Sequence, residues 1–287
     1  MTLISNIPSV FRNIAHRGIS VYESPENTRH ALRTALDQGF DVETDVQWVG
    51  GETFLYHDDY IPGPDDPKLN GGGFYLPAGK KLVYDCSPDE LRKALFNKAK
   101  LDGLLSAQAG ESVSSNLGEE PKIATLDDLL PIPDGCKVYI ELKRPDENKE
   151  FNDGLEERVV KWVQKNNLHD KVVIISFNVP GLIKTRSLDP KIAIGVDVYS
   201  DFGKDPAEAQ KLRDSIGITC WNPPLEDTSA ALIDSIHCLG LQIMPWTWNE
   251  NKQKEVAEIR RVLSLGVDGV INNQPRRVKA TFQKSPV

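Results

Sequence analysis

At 287 residues, with 39% apolar and 26% charged side chains, the chain has the composition of an ordinary globular protein and enough apolar residues for a sizeable core. Its net charge of −8, from 34 basic and 42 acidic residues, argues against nucleic-acid binding, and no apolar run reaches the length needed for stable membrane insertion. The stretch before His16 lacks a secretory pattern, and Cys86, Cys136, Cys220 and Cys238 follow no zinc spacing, so buried reduced thiols and a cytoplasmic location are expected.

In chain order, the run from Asn13 to His16 predicts a first strand that ends in His-Arg-Gly. Ser24 is placed to cap a helix with Pro25 at its first position and Glu26 in its first turn; Ala31, Leu32, Ala35 and Leu36 recur at helical spacing, and Gly39 ends it. Phe40 to Asp58, FDVETDVQWVGGETFLYHD, follows as a second strand carrying Glu43 and Asp45. Strand side chains alternate, so acids two apart share one face. Burying both among Phe40, Val42 and Val46 requires a positive group between them, most simply a metal; an amphipathic strand with its acids in water is the other reading of this stretch alone. Gly50-Gly51 and the β-rich run to His57 predict a hairpin. A two-residue turn pairs His57 with Thr44, away from the acids, whereas a three-residue loop through Glu52, or a bulge, pairs it with Asp45 on their face; the second is expected.

Residues 59–120 are irregular and poor in large apolar side chains, which predicts an insertion acting as a lid or substrate wall rather than a separate domain. Within it Ser87-Pro88-Asp89-Glu90 opens a helix to about Asn97; beyond it Thr125 starts another short one. From Lys137 strands and helices alternate through VYIELK, VVIISF, IAIGV, ITCWN, QIMPWTW and GVDGVIN. Six β/α units added to the earlier two make the count of a (β/α)8 TIM barrel, so residues 1–287 are read as one α/β barrel domain with a hairpin and irregular insertion after strand two.

Barrel chemistry sits at the carboxyl ends of the strands. There the chain offers His16 and Arg17, then Glu43 and Asp45, then Glu141 and Lys143, with Ser176-Phe177-Asn178, Trp221-Asn222, Trp246 to Asn249 and Asn272-Asn273 on later strands. Three carboxylates from neighbouring strands make a hard oxygen site for one divalent cation, Mg²⁺ or Ca²⁺. Arg17, Lys143 and a metal suit phosphoryl oxygens, and His16 and His57 suit proton transfer near neutral pH, which together fit a small-molecule phosphate ester. Trp246 and Trp248 share a strand face; Trp246 lies deeper and is preferred as the substrate-facing ring. His30, His169 and His237 fall away from this rim.

The ordered set HRG, PENT, ExD, HD, ELK and WTxN, from Ile14 to Pro275, resembles the glycerophosphodiester phosphodiesterase family. The resemblance implies a (β/α)8 barrel and metal-dependent hydrolysis of a glycerophosphodiester to glycerol 3-phosphate and an alcohol. It implies His16 and His57 as the general acid/base pair, Glu43, Asp45 and Glu141 as metal ligands, Arg17 and Lys143 as phosphate-binding cations, and Trp246 as a ring against the substrate's carbon backbone. It also implies attack by the substrate's own hydroxyl through a cyclic phosphate, which agrees with the lack of a nucleophile motif. Two departures bear on the substrate pocket: Asn272-Asn273-Gln274 stands where the family has Thr-Asp, and DYIPGPDD replaces an Arg-Thr-Thr-Gly pattern. The alternatives are a phospholipase D-type enzyme acting on lysophospholipid or sphingomyelin, and a non-catalytic barrel that only binds; the intact HRG and PENT favour the diesterase.

Overall fold

The computed structural model describes residues 11–19, 25–63, 74–96, 122–200, 203–247 and 252–283. Its frame is a barrel of parallel strands: β1 (Arg12–His16), β2 (Asp41–Val49), β8 (Val138–Leu142), β9 (Val172–Ser176), β10 (Ala193–Asp197), β11 (Cys220–Asn222), β12 (Gln242–Ile243) and β13 (Gly269–Asn272). They run in the order β12-β11-β10-β9-β8-β2-β1-β13. Pro245 has no N–H to continue a ladder, which accounts for the two-residue β12. The ring closes instead at Trp246, which bridges in parallel to Pro224 and to Ile271.

Between strands lie α1 (Arg29–Asp37), α3 (Leu155–Lys165), α4 (Val179–Leu188), α5 (Pro206–Ile216), α6 (Ala230–Cys238), α7 (Lys252–Leu265) and α8 (Pro275–Gln283); α2 (Pro88–Lys93) belongs to the insertion. Two apolar layers result from strand alternation. Outward residues such as Val42, Ile140, Ile174 and Ile194 pack beneath the helices, while Ile14, Tyr139, Val173, Ile175, Cys220, Met244 and Ile271 fill the interior. Position 195 alternates with the outward Ile194 and Val196, and a Cβ there would lie 2.2 Å from Cys220 Sγ, so only glycine fits against that interior residue.

Several local expectations are corrected. The hairpin between β2 and β3 (Glu52–Leu55) has a two-residue turn, with Val49 opposite Glu52, not a three-residue loop. Gly50 and Gly51 adopt φ of +55° and +92°, the conformations a type I′ turn demands at both central positions. Helix α1 begins at Arg29 and is capped by Thr28 Oγ1, which accepts from the Ala31 N–H at 3.2 Å. Ser24 lies outside the described residues, and Asn27, at φ +54°, cannot be part of a helix, so PENT is loop. Helix α2 carries the expected Ser87 capping box but stops at Lys93. Cys86, Cys136 and Cys220 are buried and free, whereas Cys238 is exposed, off the Leu232-Ile233-Ile236 stripe of α6.

The described parts of the insertion bury more apolar surface than its composition led us to expect. Ile61, Phe74, Leu76, Val83, Leu91 and Phe96 pack on Val49, Phe54 and Tyr56 of the hairpin as a second apolar cluster. Short pairs β4–β6 (Tyr60–Ile61 with Lys81–Leu82) and β5–β7 (Phe74–Tyr75 with Leu95–Phe96) tie it together. Among the described residues no helix is long and apolar enough to cross a membrane.

Gly18 follows β1 at φ +82°, and a Cβ there would lie 2.6 Å from the Ala31 carbonyl carbon. Both the backbone and the close approach to α1 require glycine. Gly18→Ala is expected to cost about 2–4 kcal/mol, read as a lowered urea midpoint at unchanged slope.

Candidate active site

Strand register brings the predicted rim residues together. His16 stands opposite Glu43 across β1 and β2, and Asp45 opposite Glu141 across β2 and β8. One carboxylate oxygen from each of Glu43, Asp45 and Glu141 lies within 4.8 Å of the others, and all three side chains are buried. The acids therefore face the barrel mouth as a cluster, not the wet side of an amphipathic strand. Lys143 Nζ is 2.7 Å from Glu141 and 3.1 Å from Asp45, so its pairing within the strand and its place beside the cluster are one arrangement.

The turn after β1 delivers Arg17. At φ +55° its backbone N–H donates to Glu43 Oε2 at 3.1 Å, its Nε lies 3.3 Å from Asp45, and its Nη1 donates to Glu26 at 2.8 Å. The PENT loop supplies a second brace. Asn27 Nδ2 donates to Asp45 Oδ2 at 2.9 Å, while its Oδ1 accepts from the Thr44 hydroxyl at 2.6 Å. Three buried acids then face two cations, one of which is shared with Glu26.

That imbalance divides the acids. Burial pushes Glu43 well up, helped by the neighbouring charges of Asp45 and Glu141. Burial acts the same way on Asp45, but Lys143 and Arg17 overcome it and hold this carboxyl well below its usual range. Glu141 is raised by burial against the pull of Lys143. Glu43 Oε1 is buried and accepts no hydrogen bond, and Asp45 Oδ1 has the Lys143 ion-pair contact only. Hard oxygens converging with a bare acceptor suit a divalent cation, so this donor set fits the metal the sequence implies.

The two histidines are held differently. His16 Nδ1 is 2.8 Å from Asn273 Oδ1, and its Nε2 is 3.8 Å from Glu43 Oε2. Burial, then the charge of Arg17, pushes its pKa down to about 3, so the ring is neutral at ordinary pH. His57 was expected on the acids' face through a longer turn; the turn is short, yet the residue lines the same cleft as Glu141 and Lys143. Strand β3 ends at Leu55, so alternation no longer dictates where His57 points. The Gln47 amide donates to the carbonyls of Tyr56 and Asp58 on either side of it, at 3.0 and 2.9 Å. Asp58 Oδ1 lies 2.8 Å from His57 Nδ1.

A cleft of about 510 Å³ opens beside these groups, lined by His57, Tyr60, Lys143, Phe177 and Tyr199 among others. Phe177 and Tyr199 stack at 4.3 Å, and Trp246 meets both edge-on. Trp246 Nε1–H donates to the Asn222 carbonyl at 2.9 Å, while Trp248 and Asn249 lie outside the described residues. Asn178 is a helix cap, accepting from Gly181 N–H at 2.7 Å. Among the other histidines, His169 pairs with Asp189 and His237 with Asp268, away from the cluster.

Sequence reasoning missed Asp197, buried at the end of β10, whose Oδ1 accepts from Asn222 Nδ2 at 2.9 Å and which burial and Glu141 push well up. Its signal was available: Gly195-Val196-Asp197 is one more polar strand end.

An eight-stranded α/β barrel with a hard-oxygen acid cluster, cations and two histidines at its carboxyl rim belongs among the barrels built for phosphate chemistry. The comparisons make this specific: residues 16–277 match the model of the glycerophosphoryl diester phosphodiesterase family, and the chain belongs to that family. It is 28% identical over 265 residues, 91% of this chain and 93% of the relative, to a glycerophosphodiester phosphodiesterase of Caldanaerobacter subterraneus subsp. tengcongensis. Its fold matches an Oleispira antarctica phosphodiesterase solved with the product sn-glycerol-3-phosphate (TM-score 0.68, 22% identity, 96% of this chain and 98% of that one). It also matches a glycerophosphodiester phosphodiesterase of Agrobacterium tumefaciens (TM-score 0.65, 20% identity, 93% and 98%).

Glu255, in the first turn of α7, is buried and accepts the Asn273 N–H at 2.7 Å. Burial, against that hydrogen bond, raises its pKa to about 7. Between the ordinary carboxyl value and 7 the folded state holds more protons than the unfolded one, so stability falls as pH rises through this window. Glu255→Gln, which keeps an acceptor, is expected to flatten that fall by up to about 3 kcal/mol, measured as the difference in urea stability between pH 5 and pH 8.

Proposed function

We propose that the protein is a divalent-metal-dependent phosphodiesterase that cleaves glycerophosphodiesters to glycerol 3-phosphate and an alcohol. The observation that carries the reading is the convergence, at one barrel rim, of three buried acids, two cations and two histidines. Membership of the family and the names of its relatives support it.

In this reading Glu43, Asp45 and Glu141 hold one Mg²⁺ or Ca²⁺, which when bound neutralises phosphoryl charge and polarises phosphorus. Arg17 and Lys143 bind phosphoryl oxygens, and the Trp246, Phe177 and Tyr199 rings pack against the substrate's carbons. Tyr60 and its neighbours in the insertion form a wall of the cleft. His16, neutral at Nε2, takes the proton of the glycerol hydroxyl adjacent to the phosphate as that oxygen bonds to phosphorus. The phosphorus bond to the alcohol oxygen breaks, and His57 gives its proton to the departing oxygen. A cyclic phosphate results. Water then attacks phosphorus, giving its proton to His57 while the ring oxygen leaves and takes back the proton from His16. The product is glycerol 3-phosphate, both histidines return to their starting states, and no protein nucleophile is needed.

Purified protein with Mg²⁺ or Ca²⁺ is expected to release glycerol 3-phosphate from glycerophosphodiesters, with Glu43→Ala as the inactive control; equal rates in the two proteins would reject the reading. Choline released from a lysophospholipid or sphingomyelin, with no release from the diesters, would favour the phospholipase D-type alternative. His16→Ala and His57→Ala are each expected to lose at least about a hundredfold in kcat, with melting temperatures within a few degrees of the parent. Titration calorimetry with Ca²⁺ and Mg²⁺ is expected to give one site per chain, weakened at least about tenfold in Glu43→Gln.

A further inference from the structure

The turn that ends β13 sits directly beside His16, because Asn272 is the register partner of Ala15. It is anchored from several sides. Asn272 Nδ2 donates to Asn13 Oδ1 at 2.9 Å, Asn272 Oδ1 accepts from Gln274 N–H at 3.0 Å, and Asn273 N–H is taken by Glu255 at 2.7 Å. The backbone of residue 273 is therefore fixed by neighbours that never touch the cleft. From it the Asn273 side chain reaches His16 Nδ1 at 2.8 Å.

We infer that Asn273, anchored by Glu255, is a positioning residue that holds His16 as its Nδ1–H tautomer, with a bare Nε2 directed at the acid cluster and the reacting oxygen. The inference rests on the proposed function for what Nε2 then does, but not for the tautomer itself. An amide oxygen can only accept, so the nitrogen facing Asn273 Oδ1 carries hydrogen. At 3.8 Å from Glu43, Nε2 is beyond hydrogen-bond range and has no acceptor there to keep a proton on it. The ring is thus steered from the side away from the chemistry, as metal-bound and triad histidines are by their outer partners.

Why an amide serves here follows from the charges around it. A carboxylate at position 273 would orient Nδ1–H equally well but add another negative group next to Glu43, Asp45 and Glu141, already crowded within 4.8 Å. Asparagine gives the geometry without the charge. The reverse arrangement, with the amide turned over so that Nδ2 donates to a bare Nδ1, fits the same heavy-atom positions and puts the proton on Nε2; that arrangement would leave His16 unable to act as a base.

Nitrogen-15 NMR of histidine-labelled, metal-free protein separates the two, with His16 assigned by its absence from a His16→Gln spectrum. The expected result is hydrogen on Nδ1 and none on Nε2 in the parent, the same tautomer in Asn273→Asp, and an exchange-averaged mixture in Asn273→Leu. With glycerol 3-phosphate release as the rate, Asn273→Leu is expected to lose roughly 10–100-fold in kcat at a KM within about threefold, with unchanged melting temperature and unchanged Ca²⁺ affinity. Asn273→Asp, assayed at its own optimum pH, is expected to recover most of that loss. An Nε2–H tautomer in the parent, or Asn273→Leu with parental kcat, or a loss confined to KM, would overturn the inference. Should the parent cleave no diester at all, the proposed function fails, and the spectra still decide the tautomer.

Discussion

Three carboxylates buried within 4.8 Å of one another are the constraint around which the barrel mouth is arranged. Each removed from water alone would cost several kcal/mol, and their mutual repulsion adds to it. Every local peculiarity at this rim can be read as compensation. Arg17 takes a left-handed conformation so that its backbone N–H reaches Glu43 while its guanidinium reaches Asp45. The PENT loop stays unwound so that Asn27 can donate to Asp45. Gly18 is a glycine because this turn must press against α1. The compensation is incomplete at Glu43, where burial, and then the neighbouring acids, leave a raised pKa and a bare Oε1. In the proposed function a divalent cation takes the place of the missing donor at that atom.

The hairpin and insertion solve a different problem, that of holding a residue over a barrel mouth without building it into the barrel wall. The β2–β3 ladder ends at Leu55, and the chain is then fixed by Gln47 on both sides of His57 and by the Tyr56 hydroxyl donating to the Tyr60 carbonyl at 3.0 Å. Outside it, Phe54, Phe74, Leu91 and their neighbours form an apolar cluster that supports the segment from behind. The insertion is in this sense a buttress for His57 as well as part of the cleft boundary.

Much of this was legible in the sequence because strand alternation and strand-end polarity are short-range rules. Glu43 with Asp45, and Glu141 with Lys143, were readable as shared faces from their spacing alone, and neighbouring strands then met in the register a parallel barrel imposes. What failed were details decided by competition. Ser24-Pro25-Glu26 is a good helix start, but the contact of Asn27 with Asp45 keeps the chain unwound to Thr28. Gly50-Gly51 takes a two-residue turn in place of the expected three-residue loop or bulge, and His57 still lines the cleft because the chain leaves the ladder at Leu55. The insertion's core was hidden because half of it, Val49, Phe54 and Tyr56, is contributed by the hairpin. Asp197 was overlooked although its signal matched those that were used.

The division between the two histidines follows from what each is mounted on. His16 closes a barrel strand whose neighbours on both sides are strands, and its outer partner is a neutral amide. His57 stands on a turn beyond a hairpin, and its outer partner is the carboxylate of Asp58. Each partner meets its ring at Nδ1, so Nε2 is the nitrogen turned away from the partner. In the proposed function Nε2 of each ring is the atom that exchanges the proton. One ring is mounted on the barrel wall beside Arg17 and the other on the turn beside Asp58, so in that reading the two approach the reacting oxygens from different elements of the fold.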